Sequence, residues 1–176
     1  MNEYSWIYNT SPSNSSRFTL GNCGHSPLLC IGVNPSTAVP ENLDPTLKSV
    51  ARIADNNSYD GWIMINLYPQ RSTNPDGLHP QIDDALHQKN LDIIKTVLNT
   101  YEISDIWAAW GTLINKRSYL PGCLHDIYTL TAGYNWIRFG DLSKDGHPHH
   151  PLYLSSDTPK YSFNITDYVN SLTQDR

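Results

Sequence analysis

The sequence is short of cysteine, of basic side chains and of long apolar runs, and each shortage excludes something. Its three cysteines, Cys23, Cys30 and Cys123, are odd in number and irregularly spaced, which speaks against a disulfide framework and for a reduced, cytoplasmic protein. Twelve Lys and Arg against 17 Asp and Glu leave a net charge of −5. Proteins that grip nucleic acid electrostatically carry the opposite, a basic footprint; a local basic patch stays open. No apolar run approaches the length of a membrane span, so no membrane partner is expected. The opening residues "MNEYSWIYNTSPSNSSRF" lack the apolar stretch of a signal peptide. There is no internal repeat and no low-complexity block.

What is present reads as one domain over residues 1–176. The 176 residues are 39% hydrophobic and 11% aromatic, enough for a single core and too few for two. Short apolar runs predict strands near 28–33, 62–67, 105–110 and 135–139, with "RFTLGN" as a further strand before the first of them. Thr10 to Ser16 reads as a loop. Asp44 and Pro45 mark a helix start, and Leu47, Val50, Ala51 and Ala54 follow at helical spacing. A second helix is expected over about 83–99. The segment from Leu113 to Thr131 fits a helix through Leu120, Leu124 and Ile127, although "DIYTLT" alone also passes as a strand. Residues 155–176 read as a polar tail. Strands alternating with helices imply an α/β fold, a three-layer α/β/α sandwich around a mostly parallel sheet of four to five strands.

In such a sheet the carboxyl ends of the strands gather at one edge, where ligands bind. Asn34, Pro35, Ser36 and Thr37 form a polar turn directly after one apolar strand, with Asp44 and Thr46 close behind. Asn66 interrupts "WIMINLYP" where a buried strand would take another hydrophobe. A buried amide needs partners, so Asn66 either bridges neighbouring backbones or meets a ligand. Arg71 is either a solvated loop residue or a clamp for phosphate or carboxylate. Trp110, before Gly111, packs in the core or offers a stacking face to a base. His147, His149 and His150 crowd one loop without the ligand spacing of a zinc site, and no metal is expected there. His150, beside the apolar "PLYL", is the best placed of the three to donate to a developing negative charge.

The motifs "NPSTA", "LDPT", "INLYPQRST", "AAWG" and "GHPHHPLYL" occur in the order found in a bacterial and phage family, domain of unknown function 1643, which the chain resembles from about Arg17 to Leu154. A more distant resemblance is to the uracil-DNA glycosylase superfamily. "GVNPST" is similar to the "GINPG" turn of its mismatch-specific branch, with Ser36 standing where that turn has glycine, and "HPLYLS" is similar to its terminal "HPSPLS". This second resemblance implies a uracil-DNA glycosylase-like α/β/α fold and cleavage of an N-glycosidic bond. Asn34 would then position the attacking water and His150 would stabilise charge on the departing base. Asn66, Trp110 and Gly111 would line the base pocket and Arg71 would lie near a phosphate, with no metal or organic cofactor. The expected partner is a nucleobase- or nucleotide-like small molecule, or single-stranded or damaged nucleic acid. The rival reading is a non-catalytic binding module on the same fold; a third is a hydrolase or transferase for an unrelated small molecule.

Overall fold

A computed structural model describes residues 4–174; the first three of the opening residues that lack a signal-peptide stretch and the last two of the expected polar tail lie outside the described residues. In chain order the elements are β1 (Ser5–Thr10), β2 (Arg17–Cys23), β3 (Leu28–Gly32), α1 (Pro45–Asn56), β4 (Gly61–Asn66), α2 (Asp84–Thr100), β5 (Asp105–Ala108), α3 (Leu120–Leu130), β6 (Asn135–Phe139), β7 (Lys160–Ser162) and α4 (Ile165–Gln174). Among the described residues the strands form one seven-stranded mixed sheet in the order β1-β2-β4-β3-β5-β6-β7. Its middle, β4-β3-β5-β6, is parallel, and β2, β1 and β7 join antiparallel.

Four to five mostly parallel strands is therefore corrected to seven mixed ones. The four parallel strands are the four apolar runs of the sequence, because their middles are covered on both sides, while polar residues stand at the ends of β4, β5 and β6 and, within β6, at half-buried Arg138. The strands not anticipated, β1 and β7, lie at the edges and are largely exposed, so burial imposes no pattern on them. The ambiguous segment resolves into a short 3-10 turn, Gly111–Asn115, and helix α3. Leu120, Cys123, Leu124 and Ile127 bury one face of that helix, a 3.6-residue repeat that a strand cannot satisfy.

Side-chain alternation sorts the core into two halves. Leu29 and Ile31, Ile63 and Ile65, Ile106 and Ala108 point to the side covered by α2, α3 and α4. Leu28 and Cys30, Trp62 and Met64, Trp107 and Ala109 point to the other, covered by α1. Helices thus lie on both faces of the sheet. No helix among the described residues is long and apolar enough to cross a membrane.

The expected polar tail holds β7 and α4 instead. Asn164 caps α4 through Oδ1, which accepts from the Asp167 N–H at 3.1 Å. Phe163, Ile165, Tyr168 and Val169 bury against the α2–α4 side of the core. The Tyr168 hydroxyl accepts from Trp110 Nε1–H at 2.9 Å and lies 2.8 Å from His147 Nδ1. Substituting Tyr168→Phe leaves both partners buried without it. A loss of about 1–3 kcal/mol in unfolding free energy is expected, measured by urea denaturation; an unchanged midpoint would show that the hydroxyl contributes nothing.

Candidate functional site

A cleft of about 430 Å³ opens at the carboxyl ends of β3 and β4. The two strands are parallel neighbours with Gly32 opposite Asn66, so the chain leaves both at one edge. The loop that follows β3 contributes Asn34, Pro35, Ser36 and Thr37; the start of α1 contributes Asp44, Pro45 and Thr46; Asn66 ends β4, and His150, Leu152 and Tyr153 come from the histidine-rich loop. Asn34 and His150, distant in sequence, line the same cavity. Gly111 stands behind the histidine: its φ is +61°, and a Cβ there would lie 3.3 Å from His150 Cβ.

Asp44 is held as the cap of α1, its Oδ1 accepting from the Leu47 N–H at 2.9 Å. The turn carrying His150 is tied to the same helix, since Arg52 donates to the Leu154 carbonyl at 3.0 Å and Asn56 to that of Ser156 at 2.7 Å. His150 Nδ1 accepts from the Leu152 N–H at 3.3 Å. In a neutral ring that leaves the proton on Nε2. Burial lowers the His150 pKa, and the charge of Asp44 opposes the shift. Asn34 donates through Nδ2 to the carbonyls of Pro35 at 3.0 Å and Ser72 at 2.9 Å. Its Oδ1 makes no hydrogen bond among the described residues.

Asn66 is 1% exposed, and neither its Nδ2 nor its Oδ1 has a hydrogen-bond partner. The backbone bridge considered from sequence is not formed by this side chain. Its main-chain carbonyl accepts from Asn90 Nδ2 at 2.9 Å. A Cβ on Gly32 would sit 2.6 Å from Met64 Cε and 3.0 Å from Asn66 Oδ1, so glycine is what leaves room for this amide. An unpartnered buried amide costs about 1–3 kcal/mol.

Three expected site residues are not in the lining: Gly111, which backs His150, and two that lie elsewhere. Trp110 is fully buried on the α2–α4 side and bonded to Tyr168; strand alternation carries it away from the cleft, and it offers no face to a ligand there. Arg71 donates to the carbonyls of Ser36 and Ala38 and to the Tyr8 hydroxyl. It braces the loop from below and faces an adjoining hollow lined by Asn14, Ser36, Thr37, Val39, Ser72 and Thr73. His147 is also buried, its pKa lowered chiefly by desolvation. Among the described residues no group of three or more His, Cys, Asp and Glu is arranged to hold a metal ion.

Sequence reasoning missed Arg17. It opens β2, is 2% exposed and lines the cleft. Desolvation pushes its pKa down to about 10, helped by Arg71 and opposed by Asp44 and Tyr8. The available signal was a charged residue at the head of an otherwise uncharged strand, "RFTLGN".

Asn66→Leu replaces an unpartnered amide with a hydrocarbon of similar size. It is expected to raise unfolding free energy by about 1 kcal/mol or more, read in urea, whereas a loss of stability would show that the amide is needed by the fold. A second expectation concerns pH. His147 and His150 both titrate below the ordinary 6.5, so the unfolded chain binds protons that the folded chain does not. Stability from the neutral rings is then complete above about pH 6.5 and declines as pH falls below it. NMR titration of the two rings checks this, and a midpoint above 6.5 for either would contradict it.

No curated protein and no solved structure matches the chain. Residues 17–152 match the family described as "Protein of unknown function (DUF1643)", a span that begins at the buried arginine of the cleft and ends on its leucine rim. The chain belongs to that family.

Proposed function

We propose that the cleft binds a nucleobase- or nucleotide-like ligand and hydrolyses its N-glycosidic bond, on a fold of the uracil-DNA glycosylase kind. The observation that carries this reading is the unpartnered amide of Asn66 in a cavity also lined by Asn34 and His150. A primary amide presents a donor and an acceptor side by side, the complement of the hydrogen-bonding edge of a base removed from its stack. Met64, Leu47 and Leu113 supply apolar lining for a flat ring. A volume of about 430 Å³ falls within the usual range of small-molecule sites. The net charge of −5 favours a free nucleotide or an unpaired strand over generic duplex, where phosphate contacts dominate affinity.

In the hydrolytic step the bond between the sugar carbon and the base nitrogen breaks, and its electron pair leaves on the base. His150 donates through Nε2–H to the oxygen on which that charge collects, an electrostatic stabilisation preorganised by the Leu152 N–H at Nδ1. Water oriented by Asn34 Oδ1 adds to the sugar carbon. Its surplus proton passes to Asp44, the acidic residue of the lining, and from there to solvent. A second reading, binding without chemistry, is favoured by one detail: the Asn34 amide nitrogen already braces its own loop, a structural duty that needs no reaction.

The test is release of free base from deoxyuridine- and deoxyinosine-containing oligonucleotides, single- and double-stranded, and from the corresponding monophosphates, followed by chromatography. Release from at least one substrate is expected, falling by about a hundredfold or more in Asn34→Ala and in His150→Ala. The double variant should lose less than the product of the two, because both act on one bound group. Binding without release from any substrate would establish the second reading; neither binding nor release would reject both.

A further inference from the structure

Arg17 and Arg117 form an internal comparison. Arg117 is a structural arginine: its guanidinium donates to the carbonyls of Asp76, Leu78, His79 and Lys116. Arg17 is almost wholly buried and makes a single side-chain hydrogen bond, from Nη1 to the Ala38 carbonyl at 3.2 Å. Its Nε is buried without a partner, and it joins no ion pair among the described residues. A guanidinium carries five N–H donors and keeps its charge, so burying it this poorly engaged is costly unless something else completes it.

The surroundings sharpen the point. Arg71 reaches the same carbonyl, Ala38 O, at 3.4 Å, so two like charges converge on one acceptor, and the charge of Arg71 disfavours that of Arg17. The amino terminus of α1 contributes Pro45 and Thr46 to the same lining; Pro45 has no N–H and Asp44 Oδ1 takes that of Leu47, so what this helix end adds for an anion is its dipole. Ser36, Thr37, Thr46 and Thr73, each bearing a hydroxyl, are lining residues as well. Asp44 is the opposing charge, but its Oδ1 is engaged at the helix cap, and one carboxylate does not balance two guanidinium groups.

We infer that Arg17 is the seat for a phosphate group of the ligand, so that the cleft takes phosphorylated nucleotides in preference to free bases or nucleosides. The planar fork of Arg17 is suited to two phosphate oxygens at once, with the lining hydroxyls as further donors. This rests on the preceding reading for the base end of the ligand and stands by itself for the phosphate end. A free monophosphate and an internal phosphodiester offer the same chemistry to the fork.

Calorimetric titration of the full chain with inorganic phosphate, with the common nucleosides, with their 5′-monophosphates and with a short single-stranded oligonucleotide separates the possibilities. Monophosphates should bind about ten- to a hundredfold more tightly than their nucleosides, the range expected for hydrogen bonds to a charged group. Inorganic phosphate should compete with them. That advantage should vanish in Arg17→Gln and shrink in Arg17→Lys, which keeps the charge but not the fork. If either variant fails to fold, competition by inorganic phosphate against the unsubstituted protein decides. Tighter binding of the monophosphate than of the oligonucleotide assigns a terminal phosphate, and the reverse assigns an internal one; both support the inference. Equal affinity for nucleosides and monophosphates, with binding still dependent on Asn66, overturns it while leaving the base reading intact. Arg17-dependent phosphate binding without any base preference supports the seat and counts against the base reading. Absence of binding by phosphate and monophosphates alike overturns it.

Discussion

The parallel pairing of β3 with β4, in register from Leu28 against Trp62 to Gly32 against Asn66, is the constraint on which the cleft depends. It brings the carboxyl ends of two fully buried strands to the same level. The chain must leave both there, and the loops it sends out cannot be apolar core. The pairing also sets glycine against asparagine at the last rung. A Cβ at residue 32 would press on Met64 Cε at 2.6 Å and on Asn66 Oδ1 at 3.0 Å, so glycine gives the amide its room at this rung.

Around that rung the molecule departs from the rule that buried polar atoms find partners. Asn66 lacks them at both ends of its amide, Arg17 at Nε, and Asn90, which holds the Asn66 carbonyl, at Oδ1. Buried polar atoms away from the cleft lack partners too, among them the indole N–H groups of Trp107 and Trp136 and Nδ1 of His87, whereas Trp110, Tyr168, His147 and Asn115 form a continuous chain of hydrogen bonds and Arg117 donates to four carbonyls. What sets the cleft apart is that a whole amide and a guanidinium Nε lie unpaired beside one cavity.

How much of this was legible in the sequence follows from what burial does to pattern. The four parallel strands and α1 were readable, because strands covered on both faces are apolar in their middles and because Asp44-Pro45 is a strong helix start. The edge strands β1 and β7 were not, since a strand facing water on most sides obeys no hydrophobic period. The helix α4 was hidden by its polar face, although Phe163, Ile165, Tyr168 and Val169 carry a buried stripe. In the cleft, Asp44 and Thr46 were legible as the start of a helix, His150 from the apolar "PLYL" beside it, and Asn34 to Thr37 and Asn66 from adjacency to strand ends. Trp110 was misplaced by the same logic, as adjacency says nothing about which face a residue takes. Arg17 was missed because it lies on an antiparallel strand, whose beginning, not its end, reaches the cleft.

The ties between α1 and the turn after His150 carry a mechanical consequence. Arg52 and Asn56 hold the carbonyls of Leu154 and Ser156, while Asp44 caps the front of the same helix. Helix, acidic cap and histidine turn are therefore tied into one unit, and α1 is seated on the sheet through Leu47, Val50, Ile53 and Ala54. The placing of His150 beside Asp44 is thus a matter of hydrogen bonds, and the placing of both opposite Asn34 and Asn66 a matter of apolar packing.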